Sequence, residues 1–242
     1  MQQIFIQQTA FPSGQLLLQP QQSHHLLRVL RMKPGEQLRV IDSENHVFLA
    51  EIRDENTLTI LQPLEEDREV PCEVVLLAAL IKGERWDWLL QKCTELGVSR
   101  IVPFHSSRTV VKVEEQKTEK KVQRWQKIVQ EAAQQCKRTQ IPQVHEPVSL
   151  KQADQWLRDQ NFVAYEDQAL KGGSLLSSMK QGKSVTLVIG PEGGFSSAEI
   201  GLLIQQGYQC CSLGKRILRA ETAAVAAVCT AVSVLEETEH EF

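Results

Sequence analysis

Hydrophobic and polar positions change their rhythm near residue 70 of this 242-residue chain. Before that point, short apolar runs alternate with turn residues. The runs 3–7, 16–19, 37–41, 47–52 and 57–61 are separated by signals such as Pro12-Ser13-Gly14, Pro34-Gly35 and Asp54-Glu55-Asn56. Such runs bounded by turn residues predict β-strands. One amphipathic helix interrupts them over about Ser23 to Arg31, with Leu26, Leu27 and Leu30 facing inward and Arg28 and Arg31, three apart, sharing the outer face. Several short strands with one helix predict a small β-barrel, a form that often carries RNA. The stretch from Pro63 to Pro71 is acidic (Glu65, Glu66, Asp67, Glu69) and bounded by prolines. It predicts an inter-domain linker, and so domains at 1–70 and 71–242.

From Cys72 the pattern becomes strand, helix, strand. Glu73 to Ile81 is an apolar strand; Trp86, Leu89, Leu90, Cys93 and Leu96 then recur at helical spacing until Gly97. Arg100–Phe104 predicts the next strand, and Ser106-Ser107-Arg108-Thr109 a polar loop. A long helix is expected over Thr118–Lys137, with Val122, Trp125, Ile128, Val129, Ala132, Ala133 and Cys136 as its apolar stripe. A helix over Leu150–Leu157 and a strand over Phe162–Glu166 follow. Strands alternating with helices imply a parallel sheet covered on both faces, an α/β architecture.

The most informative stretch runs from Val185 to Ala224 and holds two glycine loops. Val185–Ile189 predicts a buried strand leading to Gly190-Pro191-Glu192-Gly193-Gly194-Phe195. Ser196 and Glu199 then form a capping box that opens a helix to about Gln206, which Gly207 ends. A strand over Tyr208–Leu213 enters the second loop, and a final helix starts near Ala220. Strand, glycine loop and helix, repeated, predict a nucleotide-sized site at the carboxyl ends of parallel strands. Gly190, Gly193, Gly194 and Gly214 lack a Cβ, which permits positive φ and close approach of a ligand. The glycines alone fit two tight turns equally well, and neither loop has a P-loop or G-x-G-x-x-G spacing.

Composition narrows the function classes. No segment is long and apolar enough to predict a membrane span, since Ala223–Leu235 is short and contains Thr230 and Ser233. Residues 1–10 lack the basic and apolar regions of a signal peptide. The six cysteines form no C-x-x-C pair, and His24 and His25 are adjacent, so neither a metal site nor a disulfide framework is expected. These readings imply a cytoplasmic protein. Net charge is only −3, but residues 82–138 carry 13 Lys/Arg against 7 Asp/Glu, whereas 1–70 carry 6 against 10 and 141–242 carry 8 against 12. A basic middle suits a phosphate-facing stripe and equally a solvated helix face.

The words around the glycines carry a resemblance. Ile189-Gly190-Pro191-Glu192-Gly193-Gly194-Phe195, followed by Leu213-Gly214-x-x-Ile217-Leu218-Arg219-x-Glu221-Thr222-Ala223, resembles the signature of SPOUT methyltransferases. More narrowly, it resembles the RsmE family of 16S rRNA (uracil(1498)-N3)-methyltransferases. His25-Leu26-Leu27-Arg28-Val29-Leu30-Arg31, Lys82-Gly83, residues 92–98 and residues 131–138 are similar to RsmE stretches in the same order.

The resemblance implies a PUA-like β-barrel domain before a SPOUT-type trefoil-knot α/β domain, and a homodimer that completes its active site. It also implies S-adenosylmethionine as methyl donor. Glu166, Ile189, Gly190, Pro191, Glu192, Gly193, Gly194, Leu213, Gly214, Ile217, Leu218 and Ala223 would hold that cofactor. Glu192 would meet the cofactor's cationic groups or else point into solvent. Arg219 and Glu221 are the catalytic candidates, for orienting or stabilising the uridine, while helix N-terminal electrostatics is the alternative for Glu221. Arg28, Arg31, Lys82, Arg108 and Arg138 are the expected contacts to 16S rRNA, in the assembled small subunit. Two other readings remain: a SPOUT enzyme acting on a ribose 2′-oxygen or a guanine nitrogen, and a non-catalytic RNA-binding protein.

Overall fold

The turn-punctuated first part of the chain closes its backbone hydrogen bonds in one mixed sheet. Strands β1 (Gln2–Phe5), β2 (Gln15–Leu17), β3 (Gln37–Ile41), β4 (Val47–Ile52) and β5 (Thr57–Leu64) lie in the order β1-β3-β4-β5-β2. The β1–β3 pair is parallel and the other pairs are antiparallel. Alternation along the strands buries Ile4, Leu16, Leu38, Val40, Phe48, Ala50, Leu58 and Ile60 in one core, against which Leu26 is fully buried. This computed structural model describes residues 1–12, 14–66, 68–109, 115–165 and 173–237. The chain divides into two units, Met1–Glu69 with Ala133–Gln140 and Val70–Ala132 with Ile141–Phe242.

Two details of the first unit depart from expectation. The helix starts earlier, as α1 (Pro20–His24), and widens into a π-helical turn over His25–Val29. The Met32 N–H bonds the Leu26 carbonyl at 3.0 Å and Arg31 takes φ +56°. This is the left-handed closure that ends a helix. Arg28 and Arg31 are therefore both exposed but do not share a helical face. The acidic segment expected as a linker holds the boundary between the two units, after Glu69, but its first residues are strand and two of its carboxylates are engaged. β5 runs on to Leu64, Glu66 pairs with the buried Arg39 and with Arg68, and Glu69 receives Arg138, Thr139 and Gln140. Arg39 and then Arg68 hold the Glu66 carboxyl below its ordinary range.

The second unit is built on parallel strands: β6 (Glu73–Ala79), β7 (Arg100–His105), β8 (Gln143–Val144), β9 (Val148–Ser149), β10 (Gln160–Ala164), β11 (Ser184–Ile189) and β12 (Gln209–Cys211). Their order is β12-β10-β11-β6-β7-β8, with β9 also on β7. Every pairing is parallel. β11 comes late in the chain yet sits centrally between β6 and β10, buried on both faces as its continuous apolar run requires.

One face of this sheet is covered by α2 (Glu84–Glu95), α3 (Glu115–Cys136) and α6 (Ala220–Glu237), the other by a 3-10 helix (Leu150–Trp156) and α5 (Ser197–Gln205). The segment expected as a helix over 150–157 is thus helical but 3-10 wound, opened by Ser149, whose Oγ accepts from the Lys151 N–H at 3.3 Å. The short α4 (Leu175–Ser178), β8 and β9 had no periodic signal long enough to predict them.

The nearly all-apolar α6 finds its cover inside its own chain. Ala220, Ala224, Ala227, Val228, Ala231 and Leu235 are buried against α2, α4, β6 and β11. Thr222, Cys229 and Ser233 form the exposed stripe. Apolarity alone therefore does not require a partner for this helix. No helix among the described residues is long and apolar enough to cross a membrane.

Candidate active site

The carboxyl ends of the central strands open into one cleft of about 580 Å³. Ala164 at the end of β10 contributes to the wall, Ile189–Phe195 follow β11, Ile217–Ala220 precede α6, and Ala223 lies in its first turn. Arg85, in the first turn of α2 after β6, closes another side. A crevice beyond the carboxyl ends of parallel strands, beside a central strand inserted out of sequence order, is where such sheets bind ligands.

Most of the expected cofactor residues meet here. Ile189, Gly190, Pro191, Glu192, Gly193, Gly194, Ile217, Leu218 and Ala223 line the cleft, with Arg219 among them. Leu213, Gly214 and Glu221 do not. Gly214 serves a turn: its φ is +116°, and its N–H bonds the Ser212 hydroxyl at 3.0 Å. Glu166 and the tail 238–242, like Ser13 and Asp67, lie outside the described residues. Phe195, Ala164, Ala220 and Arg85 were not anticipated as lining. The available signal for Arg85 was its place just after β6, since side chains there reach the same end of the sheet.

The first glycine loop is fixed from several directions. Ser196 and Glu199 form the expected capping box, the Ser196 N–H donating to Glu199 Oε2 at 2.8 Å and the Glu199 N–H to Ser196 Oγ at 3.3 Å. The other oxygen of Glu199 accepts the Ser107 N–H at 2.7 Å. Burial pushes the Glu199 carboxyl up, but the hydrogen bonds from Ser196 and Ser107 outweigh it and hold the group below its ordinary range. The Phe195 ring stacks on Phe104 with centroids 6.2 Å apart. A Cβ on Gly190 would sit 2.8 Å from that ring, so its missing side chain makes room for Phe195. A Cβ on Gly193 would likewise meet the Arg108 side chain, at 3.4 Å.

Charges around the cleft are unevenly matched. Glu192 pairs with Arg85, so the expected anionic contact to a cationic ligand already has a partner. Arg219 is exposed and has no carboxylate within ion-pair distance among the described residues. Glu221, 9% exposed in the first turn of α6, keeps one buried oxygen with no hydrogen-bond partner.

The expected RNA contacts separate into two groups. Arg28, Arg31 and Lys82 are exposed. Arg138 is 5% exposed and joined to Glu69 at 2.7 Å, so its guanidinium is held inside the first unit and is not presented to a phosphate. Arg108 turns toward the glycine loop, donating to the Gly193 carbonyl at 2.9 Å and that of Phe195 at 3.4 Å.

Comparison with known proteins gives this cleft a context. Residues 68–232 match the RNA methyltransferase domain family, and residues 18–61 match the PUA domain of RNA methyltransferases. The chain belongs to this RNA methyltransferase family. It is 36% identical to the ribosomal RNA small subunit methyltransferase E of Bacillus subtilis over 83% of this chain and 82% of that protein. It is 35% identical to the protein of the same name in Synechocystis over 89% of this chain and 72% of that one. Among solved structures, the ribosomal RNA small subunit methyltransferase E of Neisseria gonorrhoeae, bound to S-adenosyl methionine, superposes with a TM-score of 0.88 at 27% identity, covering 97% of this chain and 98% of that one. A Legionella pneumophila putative methyltransferase in complex with the same cofactor gives 0.86 at 36% identity, covering 98% and 97%. The α/β class with a parallel sheet, and a PUA-like domain before it, is therefore the architecture of this chain.

Proposed function

We propose that this protein methylates N3 of a uridine in 16S rRNA, using S-adenosylmethionine, in the cytoplasm. The observation that carries the reading is the convergence of both glycine loops on one cleft at the carboxyl ends of β10 and β11. The cleft suits the cofactor in size, since small-molecule sites span roughly 300–1,000 Å³. It also suits it in chemistry: Ile189, Ile217, Leu218 and Ala223 offer apolar surface for an adenosine, while the loop backbone offers polar partners.

When bound, S-adenosylmethionine supplies a methyl group activated by its sulfonium. The protein's own contribution is to hold the acceptor nitrogen in line with that methyl, an effect of position. The imide proton of N3 must leave before or during attack, so negative charge develops on the ring. Arg219 faces the cleft without a carboxylate partner among the described residues and stabilises that charge. N3 lies on the pairing edge, so the uridine must be unpaired or turned out of its stack. Arg28, Arg31 and Lys82, all exposed, are the candidate phosphate contacts.

The reading is tested by incubating small ribosomal subunits and naked 16S rRNA with labelled S-adenosylmethionine and identifying the product nucleoside. The expected product is N3-methyluridine, formed on assembled subunits in preference to naked RNA. A 2′-O-methyl or methylguanosine product would instead assign the chain to another reaction of the same fold.

The proposed assembly is a homodimer through the exposed stripe of α6. Thr222, Cys229 and Ser233, flanked by the half-buried Val225 and Ala226, are small enough for a second helix to approach closely. Sedimentation at low micromolar concentration is expected to give twice the chain mass. A monomer methylating at full rate would refute both the dimer and a shared site.

A further inference from the structure

We infer that Arg108 is a positioning residue for the cofactor cleft, acting through the carbonyls of the first glycine loop. The inference rests on the cleft being the S-adenosylmethionine site.

Arg108 stands in the loop after β7, and two independent sets of hydrogen bonds tie that loop to residues 193–199. Its guanidinium donates to the carbonyls of Gly193 and Phe195, at 2.9 and 3.4 Å. Its neighbour Ser107 gives its N–H to Glu199 at 2.7 Å, the same carboxylate that caps α5. The two segments are close enough that a Cβ added to Gly193 would come within 3.4 Å of Arg108 Cβ. The loop itself is braced, because the Ser106 N–H bonds Thr109 Oγ1 at 2.9 Å and the Arg108 N–H bonds Ser106 Oγ at 3.3 Å.

Gly193 and Phe195 both line the cleft. A cation that holds their carbonyl oxygens fixes the orientation of the intervening peptide planes, and so of the polar backbone that forms the wall. Gly194 between them takes φ +66°, a conformation that glycine adopts freely and leaves freely. A segment so permissive needs an external restraint to present one wall geometry. Nη1 of Arg108 makes both bonds, so one charged nitrogen with two N–H groups reaches the two acceptors at once.

The test separates this role from a phosphate contact. Arg108→Gln and Arg108→Lys are compared with wild type by calorimetry with S-adenosylmethionine, by amide exchange of residues 192–196 without ligand, and by the salt dependence of 16S rRNA binding. Arg108→Gln is expected to weaken cofactor binding about tenfold, the effect of losing charge-assisted hydrogen bonds. It should also speed exchange in the glycine loop, raise KM for the cofactor more than it lowers kcat, and leave the salt slope unchanged. Arg108→Lys, which keeps a donor and the charge, is expected to restore most of the affinity. Wild-type cofactor affinity and loop exchange in Arg108→Gln would overturn the inference, as would a salt slope reduced by about one with unaltered cofactor binding, the mark of a lost phosphate contact. If Arg108→Gln does not fold, failure of the folded Arg108→Lys to retain cofactor affinity above one-tenth of wild type overturns it. Absence of cofactor binding by wild type would refute the underlying reading and not the role of Arg108.

Discussion

Gly190→Ala is expected to cost about 1–3 kcal/mol of stability, the usual penalty for overpacking a well-filled site. The added Cβ would lie 2.8, 3.0 and 3.2 Å from Cε2, Cδ2 and Cζ of Phe195. That ring cannot simply step aside. It is buried, stacked on Phe104, and immediately precedes the Ser196 cap of α5. Relief must therefore come from the loop backbone, which is the wall of the cleft, and cofactor affinity should fall together with stability. Denaturant titration is expected to show a lower midpoint with an unchanged slope. Gly193→Ala makes the internal control, since its Cβ would stand 3.4 Å from the nearest atom, Arg108 Cβ, at the edge of ordinary van der Waals contact. Gly214→Ala would meet no atom within 4 Å, and its cost is instead the strain of φ +116°, about 1–2 kcal/mol. Equal stability of the Gly190 and Gly193 variants would remove the packing account of the first loop.

That ordering of the glycines shows which parts of the fold could be read from sequence. The capping box of Ser196 and Glu199 joins residues three apart, and the predicted pair is present with both hydrogen bonds. The second loop's approach to the cleft followed from the strand-loop-helix rhythm, which is also local. What escaped prediction joins distant positions. Arg85 meets Glu192 across 107 residues, Arg108 meets Gly193 across 85, and Glu69 meets Arg138 across 69. Periodicity has no access to such pairings.

The same limit applies to charge. Residues 82–138 hold an excess of basic side chains, but Arg85, Arg124 and Arg138 pair with Glu192, Asp87 and Glu69, and Arg108 holds backbone carbonyls. A count of charges therefore overstates the cations free to meet RNA. The acidic stretch near residue 66 shows the converse, because Glu66 and Glu69 are partners of the buried Arg39 and Arg138.

Arg219→Ala is expected to slow methyl transfer about 100-fold, the scale seen when one preorganised donor to a developing anion is removed. The expectation follows from the contrast between the two arginines of the cleft. Arg85 is engaged with Glu192, so part of its field is cancelled before any substrate arrives. Arg219 lines the same cleft, just before α6, with no carboxylate within ion-pair distance among the described residues. Its interaction strengthens only as the uracil ring gains charge, and so it acts on the transition state more than on binding. Single-turnover measurements at saturating cofactor should show the loss, while calorimetry should give cofactor affinity within a few-fold of wild type. Arg219→Lys retains the charge but not the planar fork, and an intermediate rate is expected. Glu221→Gln supplies the comparison at the other catalytic candidate. Glu221 is buried, outside the cleft wall, in the first turn of α6, where a carboxylate is favourable to the helix. Its replacement should lower stability more than the rate. An unchanged single-turnover rate in Arg219→Ala, or a larger rate loss in Glu221→Gln, would transfer the chemical role from Arg219 to Glu221.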